Sequence, residues 1–310
     1  MDRRVSDLPG ISDIPAESVL LVETTDGTKK ILFDDLCQAV KDALAIPTVV
    51  QSVNITEAGK IPDGPVIKEA FDAVNDLLLG AATYGYGKEI DMSWTELSAK
   101  IKTEDFSGLH VGDYKDIVLS TGEEVRVDLS GFNTYMNVGS SKVLTAPHLY
   151  FTFRDCLKTT YQMNSSNTNT GGTSAAALTK TVNETIYNTL PADLRAVMAE
   201  VDRLENNKGT WAWALRKLWL LQETEVFGRN NWSDGYDGGG IQLPIFAHSY
   251  RHIVKGLGKG AAASGSRTYW WLASPCASNT TGFCYVNFDG NASHLDASNS
   301  LGVAPGFIIT

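Results

Sequence analysis

The residues whose types suit metal or phosphate chemistry stand at spacings that fit neither. His248 and His252 are one helical turn apart, but Ser249 occupies the position at which a zinc metalloprotease needs glutamate. Residues 234–238 carry two aspartates without the spacing or the final glutamate of a calcium loop. The glycines of 256–260 lack the Walker spacing that cradles phosphate. We therefore expect no catalytic residue, no metal ion and no cofactor.

The cysteines could in principle carry redox chemistry. The four cysteines include no C-x-x-C pair, which disfavours a zinc ribbon or a thioredoxin-like site. They are Cys37, Cys156, Cys276 and Cys284. Four buried free thiols and a Cys276–Cys284 disulfide both remain open.

The C-terminal segment has an unusual composition. Residues 276–301 contain no Lys, Arg, Glu, Gln, Met or Trp, and their only charges are Asp289 and Asp296, in a chain that is 20% charged. Asn, Ser and Thr dominate, with Tyr285, Phe288, His294 and Leu295 among them. Small polar residues with interspersed aromatics suit an adaptable binding surface, because they combine flexible hydrogen bonds with large contact areas.

Apolar runs on either side of this segment predict the strands that position it. A buried strand is expected at 269–272, an alternating strand at 283–288 and a closing strand at 303–309. Asp289 and Gly290 predict a hairpin turn directly after the alternating strand. We expect a rigid apolar frame that presents its polar residues on one open face.

Size and charge limit the class of protein. A chain of 310 residues is long enough for two or three compact units. The formal net charge of -10 argues against binding to nucleic acid or to anionic lipid. No apolar run is long enough to span a membrane, and the polar residues that follow Met1 predict no cleaved signal peptide.

The pattern predicts three regions. Residues 1–46 read as a small module of a β-hairpin and a helix, with strands at 19–23 and 30–33 and a helix that begins after Asp34. Residues 47–82 read as a linker followed by a short helix over 65–79, whose apolar spacing suits either oligomerisation or packing of a single amphipathic helix on a domain. The main domain occupies 83–310.

Within the main domain, the sequence predicts further elements. A Ser93–Glu96 capping box starts a helix, and alternating apolar residues over 117–129 predict a hairpin. The remaining predictions are a strand at 150–153, a loop at 164–177, a helix at about 190–206, a buried strand at 217–221 and a loop at 229–240.

Three C-terminal motifs resemble a known family. They are Tyr269-Trp270-Trp271-Leu272-Ala273-Ser274-Pro275, Val286-Asn287-Phe288-Asp289-Gly290 and Gly302-Val303-Ala304-Pro305-Gly306-Phe307. They look like the C-terminal domain of diversity-generating-retroelement target proteins of gut bacteria and their phages. In that family an error-prone reverse transcriptase mutates adenines, mainly in Asn codons. These changes cannot produce Lys, Glu, Gln, Met or Trp, which fits the absence of those five residue types from 276–301, whereas Arg could be produced.

The resemblance implies a C-type-lectin-like fold, so the expected class is α+β: a C-type-lectin-like domain preceded by the hairpin/helix module and the oligomerising helix. It extends to His110-Val111-Gly112-Asp113-Tyr114, Leu218-Trp219-Leu220-Leu221 and Glu225-Val226-Phe227-Gly228. Residues 19–33 resemble the start of many phage tail proteins. The variable region would be about 266–301.

The resulting hypothesis is a non-enzymatic receptor-binding protein of a phage tail or a related displayed protein. Its partners would be a protein or glycan on a bacterial surface, other tail proteins and copies of itself, with a homotrimer favoured, and it would be located on the virion or on a bacterial cell surface. The expected contact positions are Thr268, Cys276, Thr280, Thr281, Tyr285, Phe288, Asp289, Ser293, His294, Leu295, Asp296 and Leu301. We expect Tyr285, Phe288, His294 and Leu295 to be the anchors, clustered on one face. The alternatives are a cysteine-dependent oxidase that uses Cys276 and Cys284, and a purely structural tail component.

Overall fold

A computed structural model describes residues 19–24, 27–32, 87–235, 241–248 and 250–310 of the chain. The chain divides into two compact units, Met1–Asp76 and Leu77–Thr310. In the described part of the chain, no helix is both long enough and apolar enough to cross a membrane.

The first unit contains the predicted β-hairpin. Strands β1 (Val19–Thr24) and β2 (Gly27–Leu32) pair antiparallel, with Thr24 opposite Gly27. The sequence prediction of this hairpin is confirmed. The helix expected after Asp34, the linker and the oligomerising helix over 65–79 lie outside the described residues.

The second unit combines short helices with antiparallel strands, as expected for an α+β protein. Its helices are α1 (Trp94–Lys102), α2 (Gly172–Ala175), α3 (Ala177–Lys180), a π-helical turn (Thr181–Ile186), α4 (Tyr187–Thr189), α5 (Ala192–Val197), α6 (Glu223–Phe227), α7 (Pro244–His248) and α8 (Tyr250–Ile253). Its strands are β3 (Tyr114–Val118), β4 (Glu124–Phe132), β5 (Leu149–Phe153), β6 (Tyr161–Gln162), β7 (Val201–Asn206), β8 (Trp211–Arg216), β9 (Trp270–Pro275), β10 (Gly282–Val286), β11 (Ala292–Asp296), β12 (Ser300–Leu301) and β13 (Gly306–Ile309).

The core of this unit is a four-stranded antiparallel sheet in the order β13-β5-β4-β3. Every residue of β5 and β13 is buried, which explains why both strands are continuous apolar runs in the sequence. Phe307 lies opposite Phe151 with the rings stacked at 5.6 Å, and Trp94 of α1 meets Phe151 edge-on at 5.4 Å. A Cβ atom on Gly306 would lie 2.7 Å from the Tyr150 ring, so only glycine fits there.

Two predictions in the first half of the domain are confirmed. Ser93 caps α1 by accepting from the backbone N–H of Glu96, and the Glu96 carboxylate accepts in return from the backbone N–H of Ser93. The predicted hairpin is β3–β4, with Ile117 opposite Val125 and both side chains buried.

The predicted helix over 190–206 is wrong in its second half. Helix α5 ends at Val197, and Val201–Asn206 is a strand that pairs with β8. The polar residues of this stretch favour the strand over the predicted helix. Arg203 forms a buried ion pair with Glu225, and Glu205 pairs with Arg216. These long-range pairs outweigh the local helical spacing.

Two other predictions need smaller corrections. The stretch Leu218 to Leu221 is buried, but it is not a strand; Trp219 alone forms an isolated bridge, to Gly306. The loop expected at 164–177 includes the single helical turn α2. Residues 229–235 contain no helix or strand, as expected for a loop, and 236–240 lie outside the described residues.

The C-terminal segment forms a three-stranded antiparallel sheet in the order β11-β10-β9. The predicted strands at 269–272 and 283–288 correspond to β9 and β10, and the predicted closing strand corresponds to β13. Gly290 has a φ of +79°, so the predicted turn between β10 and β11 is also confirmed.

Candidate ligand-binding surface

The pairing of β10 with β11 decides which candidate side chains share a face. Residues directly opposite each other in an antiparallel pair project to the same side of the sheet. Tyr285 lies opposite Ser293 and Phe283 opposite Leu295, whereas His294 lies opposite Cys284. Tyr285 and Leu295 therefore project to one side of the sheet and His294 to the other. The prediction that these anchors cluster on one open face is wrong, because strand alternation separates His294 from Leu295.

An exposed group of aromatic rings lies on the Tyr285 side of the sheet. The Tyr269 ring contacts Tyr285 at 5.4 Å and Phe288 at 5.6 Å between centroids. Tyr269 is 38% exposed and Phe288 is 46% exposed. The buried Trp271 ring supports Tyr285 from beneath at 6.4 Å. We call Tyr269, Tyr285 and Phe288 the aromatic patch.

Sequence reasoning missed Tyr269, because it begins a continuous run of aromatic residues that was interpreted as buried. The burial pattern begins only at Trp270, where β9 starts. The polar pair Arg267-Thr268 directly before it is the sequence signal that could have marked Tyr269 as the exposed end of the strand.

His294 contacts a different aromatic residue, Trp232. The two rings are 4.6 Å apart, and the amide nitrogen of Asn279 lies 3.1 Å from Nδ1 of His294. Trp232 is 40% exposed, and its indole N–H donates to the backbone oxygen of Ala292 in β11. Sequence reasoning placed Trp232 in a loop and assigned it no role.

A buried carboxylate fixes the loop that carries Trp232. The Glu223 side chain is fully buried and accepts hydrogen bonds from the backbone N–H groups of Trp232 and Ser233, at 3.0 and 2.9 Å, and from the Ser233 hydroxyl at 2.7 Å. The backbone N–H of Glu223 in turn donates to the Ser274 hydroxyl of β9. Helix α6 thereby ties the Trp232 loop to the C-terminal sheet.

The first loop of the expected variable region comprises residues 276–282. Side chains from outside the region bind its backbone oxygens. The Asn169 amide nitrogen donates to the backbone oxygens of Cys276, Asn279 and Gly282 at 3.2, 3.0 and 2.8 Å. The Lys208 ammonium donates to the backbone oxygen of Cys276 at 2.6 Å and to that of Ala277 at 2.7 Å. These bonds do not depend on which side chains the loop carries.

The twelve predicted contact residues fall into three groups by exposure. Thr280, Phe288 and Asp289 are exposed. Thr268, Thr281, Tyr285, Ser293, His294, Leu295 and Asp296 are partly buried. Within the partly buried group, the Thr281 hydroxyl donates to the Asp296 carboxylate at 2.6 Å, so these two side chains stabilise each other across the base of the loop.

Cys276 and Leu301 are buried, at 0% and 6% exposure, and their prediction as contact residues is wrong. Cys276 begins the loop that Asn169 and Lys208 hold, so its side chain packs inward beneath that loop. Leu301 pairs with Tyr161 in the small β6–β12 sheet.

The described part of the chain contains three cysteines. Cys156, Cys276 and Cys284 are all buried and carry no disulfide, which decides between the two arrangements that the sequence left open for Cys276 and Cys284. Burial raises the pKa of the Cys156 thiol well above its ordinary value, so this thiol stays protonated.

A buried ionic network lies in the domain body. The Glu225 carboxylate accepts from the hydroxyls of Tyr135 and Tyr150, each at 2.8 Å, and forms a two-pronged pair with Arg203 at 3.1 and 2.8 Å. The indole N–H of Trp219 donates to the Tyr150 hydroxyl at 2.7 Å. Burial and then the Glu225 charge raise the pKa of both tyrosines, so both remain donors. We call these five residues the ionic core.

The second histidine of the spaced pair lies beside an aspartate. His252 is buried with Nδ1 3.2 Å from the Asp128 carboxylate, and burial lowers the pKa of its imidazole. The side chain of His248 lies outside the described residues. Within the described ranges, no group of three His, Cys, Asp or Glu side chains is arranged to hold a metal ion.

Comparison with known proteins gives one match. A family model described as a domain of unknown function, DUF6273, matches residues 149–310. No curated protein and no solved structure matches the chain. The matched residues begin at β5 and include the ionic core residues Tyr150, Arg203, Trp219 and Glu225 as well as the C-terminal sheet.

Proposed function

We propose that this chain, which belongs to the DUF6273 family, is a non-enzymatic receptor-binding protein of a phage tail or prophage-encoded particle. It would display a diversified C-terminal surface of a C-type-lectin-like domain to bacterial host cells. The observation that carries the proposal is the exposed aromatic patch on a segment whose first loop is held by its backbone.

The aromatic patch has the properties of a binding anchor. Tyr269 and Phe288 expose large parts of their rings to solvent, and contacts among the three rings limit their motion. Rings that are already in contact lose little side-chain entropy on binding, so more of the energy of burying them goes into affinity. A ligand that covers the patch gains the contributions that make Tyr and Trp frequent hot-spot residues.

The backbone anchoring of the loop suits a surface that changes by mutation. Asn169 and Lys208 bind oxygens that every residue type possesses, so substitution of the loop's side chains leaves these bonds intact. This arrangement agrees with the resemblance to diversity-generating-retroelement targets. A reverse transcriptase that alters Asn codons in this segment would leave the bonds from Asn169 and Lys208 in place. A change at Asn279 would remove the side-chain oxygen that accepts from the backbone N–H groups of Thr281 and Gly282.

The remainder of the proposal rests on the resemblance. The N-terminal module, which includes the β1–β2 hairpin, would attach the protein to other tail proteins. Residues 65–79 would join copies into a homotrimer, and several copies would raise the apparent affinity for a cell. The proposed location is the tail tip or fibre of a virion, with the bacterial cell surface as the alternative.

The cysteine-oxidase alternative is disfavoured by burial. Cys276 and Cys284 are both 0% exposed, and a thiol that reacts with a substrate needs access to it. A purely structural tail component remains the second alternative, and it differs from a receptor-binding protein in one measurable property, since it would not bind cells.

Cell binding by the full chain tests the proposal. Fluorescently labelled protein is incubated with a panel of gut bacterial strains, and binding to intact cells is measured by flow cytometry. We expect saturable binding to at least one strain. The double variant Tyr269→Ala/Phe288→Ala should weaken that binding by about a hundredfold, because each ring is expected to contribute roughly a tenfold factor.

Trp213→Ala is the matched control, since Trp213 is 41% exposed and lies on β8, outside the patch. It should bind cells within twofold of the wild type, and circular dichroism should show that both variants are folded. Failure of the wild-type protein to bind any strain, or unchanged binding by the folded double variant, would overturn the proposal. A reverse-transcriptase gene beside an adenine-rich near-copy of the 3′ end would test the diversification directly.

A further inference from the structure

A basic pocket opens in the second unit, and its lining residues include none of the aromatic patch. Its volume is about 720 Å³, and five of its ten lining residues are Arg or Lys. These are Arg126, Arg154, Arg251, Lys259 and Arg267. Arg and Lys make up only 26 of the 310 residues of a chain with a net charge of -10. The pocket therefore concentrates positive charge against the average of the molecule.

Two of the basic side chains share one carboxylate. Arg126 binds the two oxygens of Asp116 at 2.8 and 2.9 Å, and the Lys259 ammonium lies 2.8 Å from the same group. The Lys259 ammonium also lies 3.3 Å from the Glu124 carboxylate, so Asp116 and Glu124 together balance the charges of Arg126 and Lys259. Both cations are held in place by these contacts, so little entropy is lost when they bind a further anion.

The one acidic residue of the lining, Asp155, is engaged in holding a loop. Its carboxylate accepts from the backbone N–H groups of Gly256 and Gly260 at 2.9 Å and from that of Ala262 at 3.2 Å. These bonds fix the loop that carries Lys259. Asp155 therefore builds the wall of the pocket, and its oxygens are directed at the loop.

Arginines also stand at the rim of the pocket. Arg251 and Arg267 are exposed, and the Arg267 guanidinium forms no ion pair with any residue that the structure describes. A guanidinium group presents a planar fork of N–H donors that matches two oxygens of a phosphate or sulfate group. The volume lies within the range of pockets that take small molecules.

We propose that this pocket binds a sugar-sized molecule that carries a phosphate or sulfate group, held by Arg267, Arg251 and Lys259. The proposal does not depend on the cell-binding function, because none of these residues belongs to the aromatic patch. Phosphate and sulfate share the tetrahedral oxyanion that the pocket would recognise, and the test separates the two.

Isothermal titration calorimetry of the full chain with four probes at constant ionic strength tests the proposal. The probes are glucose 6-phosphate, glucose 6-sulfate, glucuronate as the planar carboxylate and glucose as the neutral control. We expect saturable binding of at least one of the first two, binding of glucuronate weaker by at least fivefold, and no binding of glucose. The tighter of the first two identifies the anion.

Variants then locate the site. Arg267→Gln and Arg251→Gln should each weaken binding of the better probe by about five- to tenfold, as expected for loss of a charged hydrogen bond near the surface. Arg229→Gln, an exposed arginine that does not line the pocket, should bind within twofold of the wild type. Absence of binding by both anionic sugars, equal binding of glucose, or equal weakening by Arg229→Gln would overturn the proposal.

Discussion

The ionic core and the C-terminal loop that begins at Cys276 are held by opposite means. In the ionic core, Glu225 is bound by the side chains of Tyr135, Tyr150 and Arg203, so each bond requires a particular residue type at each end. In the loop, Asn169 and Lys208 bind backbone oxygens, so the bond requires a particular residue at one end alone. We therefore expect the loop to tolerate more substitutions than the ionic core.

Removal of the cation from the ionic core should have the largest effect. Arg203→Met leaves the fully buried Glu225 carboxylate without its charge partner, and we expect the free energy of unfolding to fall by about 3–5 kcal/mol. Urea denaturation measures this change, and Arg229→Met, at an exposed position, should change it by less than about 0.5 kcal/mol. A loss below about 1 kcal/mol in Arg203→Met would show that the core does not depend on the pair.

Loss of the loop's support should have an intermediate effect. Asn169→Ala removes a donor from three backbone oxygens. The oxygen of Asn279 loses its partner, whereas those of Cys276 and Gly282 keep the bonds from the Lys208 ammonium and from the backbone N–H of Cys276. We therefore expect a loss of about 1–3 kcal/mol. Amide hydrogen exchange should also become faster across residues 276–282. Asn291→Ala, at an exposed position on the neighbouring turn, is the control and should leave both measurements unchanged. Unchanged exchange in Asn169→Ala would contradict the role of this side chain.

Substitution within the loop itself should have the smallest effect. Thr280 is exposed, and its backbone oxygen accepts from the backbone N–H of Asn169. Thr280→Tyr keeps that bond, so we expect the free energy of unfolding to change by less than about 0.5 kcal/mol. A loss comparable to that of Asn169→Ala, measured in the same urea titration, would show that the loop depends on its side chains after all.

The sequence predicted the positions of the strands better than it predicted which side chains are exposed on the same face. Apolar runs such as 149–153 and 306–309 indicate buried strands, because a strand that packs in the core on both faces needs apolar residues at every position. The second half of 190–206 was mistaken for a helix, because the pairs that hold Arg203 and Glu205 involve partners far along the chain. A local pattern contains no information about such partners.

The candidate surface was predicted in part, for a related reason. The residues around Tyr285 and Phe288 were found from composition, whereas Tyr269 was assigned to a buried run and Trp232 to a loop without a role. Trp232 reaches the C-terminal sheet because Glu223 holds its loop and because its backbone oxygen accepts from the backbone N–H of Ala277. Cys276 and Leu301 were included because they lie within the unusual segment, yet burial separates them from the exposed residues beside them.

Strand β13 affects which sequence changes in the preceding segment are compatible with a complete central sheet. It follows the segment 276–301 along the chain, and its four residues are all buried against β5 in the central sheet. A frameshift or premature stop codon within 276–301 therefore deletes a strand of the core as well as the surface residues themselves. Such a product would lack the pairing of β13 with β5, whereas an in-frame substitution at an exposed position leaves that pairing in place. The closing strand thus makes correct translation of the whole preceding segment a condition for completing the central sheet.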